Sequence, residues 1–136
     1  MTETITLSDS QTVKAEQLLE MLDEDIHPSD IVSEWTPTPS RTNLEWTNIG
    51  GEYIPVTEII GTEKHNIDRL EPKRMKNIVE LLLNGEFNRE HHLAPVLCKI
   101  DGDYYVDSDG NHRVLAHKFI GIEEIYADVV VYREEF

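Results

Sequence analysis

The chain has 136 residues and a formal charge of −15, from 27 acidic and 12 basic side chains. That length suits one domain with one core, and the charge argues against broad, non-specific binding to nucleic acid, which needs a basic surface. No run approaches the roughly 20 apolar residues of a membrane span, and the single cysteine, Cys98, excludes a disulfide framework or a cysteine-based zinc site within one chain.

The polar start, MTETITLSDSQ, lacks the basic and apolar regions of a secretory signal, so a cytoplasmic location is expected. Residues 2–7 alternate weakly and read as a short edge strand or a tail. Ser8, Asp9 or Ser10 can cap a helix. Val13, Leu18, Leu19, Met21 and Leu22 then form a partial helical stripe. His27-Pro28 ends it, and Ser29 or Asp30 can cap a further turn from Ile31 to Trp35. Residues 36–43 (TPTPSRTN) have no periodicity and read as a linker or an extended wrap. The expected division is a helical N-terminal arm and linker over 1–45 and a compact α/β domain over 46–136. Trp35 and Trp46 flank the linker and are expected to pack the arm onto the core.

Residues 52–60 (EYIPVTEII) are rich in β-branched side chains and predict a strand, with Pro55 at an edge or end and Gly61 breaking it. Residues 62–69 (TEKHNIDR) predict a polar loop. Pro72 suits the first turn of a helix. Met75, Ile78, Val79 and Leu82 continue that helix on one face, and Asn84-Gly85 stops it. A polar connection follows over 86–93. Residues 94–100 (APVLCKI) predict a strand, Asp101-Gly102 a two-residue hairpin turn, and Asp103 to Asp107 the returning strand. Val114, Leu115, Lys118 and Phe119 carry a second helix that ends at Gly121. Residues 124–132 (EIYADVVVY) close the chain as a strand. The order after the arm is β, α, β-hairpin, α, β, which predicts an α/β (α+β) unit with a small mixed sheet and two packed helices. Cys98, inside a strand, is expected to be a small buried apolar residue.

The stretch Asp109-Gly110-Asn111-His112-Arg113 joins the hairpin to the second helix. A strand that ends in a glycine turn and feeds a helix aims unpaired backbone N–H groups at one spot, which favours an anion. Gly110 permits the turn. Asn111 can cap the helix, and Arg113 can grip phosphate with two donors. Asp109 can hold Mg²⁺ or act as a general base. The same spacing also fits a plain turn with a solvated arginine. Upstream, residues 63–76 hold five Lys and Arg against Glu63, Asp68 and Glu71, a local net of +2 in an acidic chain. Such an island would focus an anion, although solvated charges at a helix start look the same in sequence. Glu63 is a candidate catalytic carboxylate. His112 and His117 are five residues apart, and His91 and His92 are adjacent, so neither pair has helical metal-ligand spacing. A loop or surface role is expected for all four.

IPVTEI (54–59), the APVLCKIDGDYYV hairpin (94–106), DGNHRVLAHKFIG (109–121) and IYADVVVY (125–132) together resemble the ParB/sulfiredoxin superfamily over roughly residues 52–132. The resemblance implies a stand-alone domain of that fold with a nucleotide or phosphate at the second helix's start. Gly110, Asn111, His112 and Arg113 would contact the ligand, with Arg69 assisting from the facing loop. Implied cofactors are a nucleoside triphosphate, ATP or CTP, and Mg²⁺. Asp109, His112 and Glu63 are then the candidate catalytic groups, with Asp109 on the metal. Members of the superfamily differ in chemistry: ParB proteins hydrolyse CTP as DNA clamps, sulfiredoxins use ATP, and others are serine kinases or nucleases. Asn111 stands where sulfiredoxins carry their cysteine, and Asn111-His112 replaces the Glu-Arg of the ParB box. The expected function is nucleotide or phosphate-ligand binding, with Mg²⁺-dependent phosphoryl transfer or phosphoester hydrolysis if the domain is catalytic. The alternative is a non-catalytic module of a mobile-element, partition or defence system that binds DNA or protein.

Overall fold

In a computed structural model, residues 4–87, 94–107 and 110–134 are described. The elements run α1 (Asp9–Met21), β1 (Thr36–Pro37), β2 (Leu44–Pro55), β3 (Ile59–Thr62), α2 (Pro72–Leu83), β4 (Val96–Ile100), β5 (Asp103–Asp107), α3 (Asn111–Ile120) and β6 (Glu124–Glu134). The strands form one mixed six-stranded sheet in the order β1-β3-β5-β4-β6-β2. β4 and β5 form the predicted hairpin. Asp101 and Gly102 turn it with φ of 51° and 87°, the left-handed pair that matches strand twist. β4 pairs parallel with β6, and β6 pairs antiparallel with β2.

Alternation along the strands separates two faces. Leu97, Tyr104, Val106, Ala127 and Val129 join a core to which all three helices contribute, through Ala15 and Leu18, Met75, Val79 and Leu82, and Val114, Leu115 and Ile120. Each large aliphatic side chain buried there is worth about 1.5–3 kcal/mol. Cys98, Ile100 and Tyr105 point the other way, into a small cluster flanked by Leu44, Ile60 and Tyr132. Cys98 is fully buried, as its strand position led one to expect.

α1 begins at a capping box. Ser8 accepts from the Gln11 amide, and the Gln11 side chain accepts from the Ser8 amide. Gln11 also donates from Nε2 to the Gly121 carbonyl at 2.9 Å, tying α1 to the end of α3. Of the expected stripe, Leu18 is buried but Val13 is 54% exposed. Ala15 takes the core position that the sequence reading gave to larger residues. After α1, Pro28–Asp30 form a single 3₁₀ turn, its Asp30 carboxylate accepting from the His27 amide at 2.8 Å. Trp35 packs into the core as expected, whereas Trp46 stands on β2 with 65% of its surface exposed.

The strand expected over 52–60 is in fact two. β2 starts earlier, at Leu44, and ends at Pro55. A 3₁₀ turn, Val56–Glu58, then carries the chain to β3, on the far side of the sheet. Pro55 has no N–H with which to continue a ladder, so the strand ends there. Lys118 of α3 donates from Nζ to the Val56 carbonyl at 2.6 Å and holds this crossing in place. Gly61, expected to break the strand, lies inside β3. A Cβ there would collide with the backbone of Thr36, so glycine is what admits β1 alongside. The segment expected to be a linker therefore contributes an edge strand, with Thr36 opposite Gly61 and Pro37 opposite Thr62.

Gly61→Ala should push β1 away. A loss of about 1–3 kcal/mol is expected, as for overpacking elsewhere, read as a lower urea midpoint. Gly85→Ala, where a Cβ would meet nothing within 4 Å, should show only the smaller strain of its left-handed φ.

Candidate functional site

Two helix starts open on one cleft. α3 begins after Gly110, whose φ of 125° and position against Pro95, where a Cβ would clash, both require glycine. The first helical bond runs from the Val114 amide to the Gly110 carbonyl at 3.1 Å. The amides of Asn111, His112 and Arg113 thus precede the helical ladder, as first-turn amides must, and the cap residue, Gly110, has no side chain to close them. The cap is Gly110, not Asn111 as expected. Asn111 is instead the first helical residue, 3% exposed. Its Nδ2 donates to the Asn66 carbonyl over a long 3.4 Å. Its buried Oδ1 has no hydrogen-bond partner among the described residues.

α2 starts beside it. Pro72 fills the first helical position, and the Glu71 amide donates to Nε2 of His112 at 2.8 Å. An imidazole that accepts at Nε2 carries its proton on Nδ1. His112 is therefore a bracket between the two helix starts. The Glu71 carboxylate is shared by Arg69, at 3.3 Å, and Arg74, at 3.0 Å. These residues, with Gly110, Asn66, Glu63 and His65, enclose a cleft of about 350 Å³.

Glu63, Arg69, Gly110, Asn111 and His112 are thus brought together as the sequence reading expected. Arg113 is not with them. It lines an adjoining cavity of about 390 Å³ with Asn77, Ile78 and Ala94, and the two cavities share Arg74, Gly110 and His112 as a common wall. The Arg113 guanidinium lies 5.8 Å from the centre of the Phe87 ring and has no carboxylate partner among the described residues. Burial lowers its pKa from the ordinary value, so an anion beside it would be stabilising. Asp109, the candidate metal ligand and base, lies outside the described residues, as do His91 and His92.

Glu63 is heavily engaged. Its Oε1 is 3.2 Å from Arg41 and its Oε2 is 3.3 Å from Nδ1 of His65. Arg41 was hidden in the unpatterned TPTPSRTN segment. It also pairs with Asp107 at 3.0 Å, donates to the Tyr132 hydroxyl at 3.4 Å and lies over the Tyr132 ring at 5.3 Å. Burial is the largest single influence and works against its charge, but the surrounding groups, Asp107 foremost, together outweigh it and raise its pKa above the ordinary arginine value. Nothing in the spacing announced this clasp, because its partners come from β3, β5 and β6. The positive island is likewise quieter than its composition suggested, since Arg69 and Arg74 both lean on Glu71. His117, expected at the surface, is buried: Nδ1 sits 2.7 Å from the Arg113 carbonyl, and the ring meets Phe87 edge-on at 5.8 Å.

Among solved structures, the chain is similar to the crystal structure of sulfiredoxin from Arabidopsis thaliana, at 20% identity and a TM-score of 0.44, over 62% of this chain and 85% of that one. Neither figure assigns a ligand or a reaction to this chain. No family model matches the sequence, and no curated protein matches it.

Arg41→Ala would strand two carboxylates that are each only 22% exposed. A loss of about 1–3 kcal/mol in urea denaturation is expected. Arg41→Lys should recover only part of it, because an ammonium cannot serve two carboxylates with a planar fork.

The Cys98 thiol gives a pH signature. Burial pushes it from 9.0 up to about 11. Below pH 9 it is neutral in both the folded and the unfolded chain, and its contribution is complete. Above that, the unfolded chain ionises first, so stability falls with rising pH until the folded thiol ionises near 11. Burial also raises Tyr105, and its effect adds to the decline. Cys98→Ala should shrink the alkaline loss measured by thermal melting between pH 9 and 11, and leave the tyrosine part.

Proposed function

We propose that the cleft between the starts of α2 and α3 binds a nucleotide or another phosphate-bearing ligand. The observation that carries this reading is the convergence of two helix N-termini on one cleft in which Glu71 and Glu63 are each ion-paired with arginine. Glu71 is held by Arg69 and Arg74, and Glu63 by Arg41 and His65. Gly110 has no side chain with which to close the start of α3, and positive helix-end potential at the cleft suits phosphate. The backbone amides of Asn111, His112 and Arg113 would take the phosphate. Arg69, mostly exposed, can swing from Glu71 to the ligand. Arg113, across the His112 bracket, would hold a second anionic or planar part of a ligand that reaches both cavities.

Mg²⁺ would enter with the phosphates and use few protein ligands, as it does in most nucleotide sites. Asp109 and Glu63 are the carboxylates proposed for that role, and the ion would supply charge neutralisation at the transferring phosphoryl group. His112, holding the Glu71 amide, orients the two helix starts. With these parts, the proposed reaction class is phosphoryl transfer or phosphoester hydrolysis. The DNA-binding alternative draws little support from a chain of charge −15, whereas a protein-binding role is favoured by a separate surface on β2.

Melting temperature in the presence of ATP, CTP, GTP or UTP with Mg²⁺ tests this. A nucleotide that binds should stabilise by mass action, about 2.7 kcal/mol at a hundredfold excess over Kd. Arg69→Ala and Arg113→Ala should each reduce the shift. Failure of every nucleotide to raise the melting temperature, or unchanged shifts in both variants, would remove the nucleotide site. Phosphate release should depend on Asp109 and Glu63. Binding without release that is sensitive to Asp109→Asn would limit the domain to ligand binding.

A further inference from the structure

The sheet ends at β2, which pairs with β6 on one side and has no strand on the other among the described residues. Four large hydrophobic side chains are exposed among the described residues, and three of them stand on this one strand: Trp46 at 65%, Ile49 at 44% and Tyr53 at 37%. Trp46 is opposite Tyr132 and Tyr53 opposite Tyr126, so both lie on the sheet face away from the helices. Ile49 sits at the register shift between Asn48 and Gly50. Tyr53 and Tyr126 meet edge-on at 5.1 Å, and Gly51 leaves the room that the Tyr126 ring occupies. The aromatic stripe is therefore held in place before any partner arrives.

An open edge of this length invites another strand, and the charges on it decide which. β2 and β6 carry Glu45, Glu52, Glu124, Asp128 and Glu134 against the one basic Arg133. Pairing with a second copy is opposed by this set. The antiparallel register centred between Asn48 and Ile49 would set Glu45 opposite the copy's Glu52 twice, and like charges directly opposite destabilise a ladder. Two molecules of charge −15 also repel at long range. The bulge and the glutamates discourage self-pairing and favour a cationic occupant, so one set of residues both excludes and selects.

We propose that β2 is a docking edge for an extended, cationic segment of another protein, one that alternates Lys or Arg with apolar side chains. Its backbone pairs with the free edge of β2. Its apolar side chains cover Trp46, Ile49 and Tyr53, and its cations, on the other face of the strand, meet Glu45 and Glu52. This surface lies at the opposite end of the sheet from β1 and β3, and the proposal is independent of any ligand between α2 and α3.

The test uses the full chain and three synthetic nine-residue peptides. One alternates Lys with Val, one alternates Glu with Val, and one keeps the charge of the first but carries proline in place of every valine, so that it cannot pair. Trp46 is the exposed tryptophan and Trp35 the buried one, which makes emission a local reporter. The Lys–Val peptide should give a saturable blue shift and slow amide exchange along 44–53. Trp46→Ser or Ile49→Lys should each weaken it about tenfold or more, as expected for a central anchor. Circular dichroism should show both variants folded, since both positions are exposed. Equal binding of the proline peptide would reduce the effect to charge alone and overturn the proposal. Binding of the Glu–Val peptide, or no shift with any peptide, would also overturn it. A concentration-dependent dimer whose formation protects 44–53 would give the edge to a second copy instead, against the assignment.

Discussion

The hydrogen bond from the Glu71 amide to Nε2 of His112 fixes the relation on which the rest of the cleft depends. It joins the first residue before α2 to the second residue of α3. Each helix is anchored elsewhere by its apolar face, and this bond ties their two starts together directly. With it, Pro72 opens α2, Gly110 opens α3, and Arg69 and Arg74 gather on Glu71 between them. The bond also spends the Nε2 lone pair of His112, which makes that ring a fixture of the architecture more than a free proton carrier.

The elements most readable in the sequence were those whose signals are local. Pro72, the Met75–Val79–Leu82 face and Asn84-Gly85 define α2 within a dozen residues, and the structure places it at Pro72–Leu83. Asp101-Gly102 likewise fixed the hairpin. What could not be read was set by contacts distant in sequence. β2 extends back to Leu44 because β6 offers a long partner, reaching Glu134 opposite Leu44. Gly61 looks like a strand breaker until Thr36 is seen to need its space. The arm was legible as a helix but only partly by its buried residues, since Ala15 lies in the core and Val13 does not.

The site was legible in its centre and obscure at its edges. The run Gly110-Asn111-His112-Arg113 announced a helix start, and Glu63 and Arg69 line the same cleft. Composition alone suggested a zone of unspent positive charge over 63–76. In the structure Arg69 and Arg74 share the single carboxylate of Glu71, and the helix ends add their own positive potential to the cleft. Arg41 had no signal at all, because a residue in a Pro/Ser/Thr segment acquires meaning only when β3, β5 and β6 assemble around it.

The place of β6 in the sheet bears on how the fold is reached. It lies between β4 and β2, yet it follows both in sequence, and it joins Leu44 to Glu134 and Pro55 to Glu124. The inner edges of β2 and β4 therefore remain open until a strand near residue 134 is available to fill the gap. Such distant pairings are slow to form because the loop entropy is lost before the contacts are gained. During that interval the acidic side chains along β2 act as a solubility guard on a half-built sheet, so the charge that shapes the surface of the finished molecule also protects its assembly.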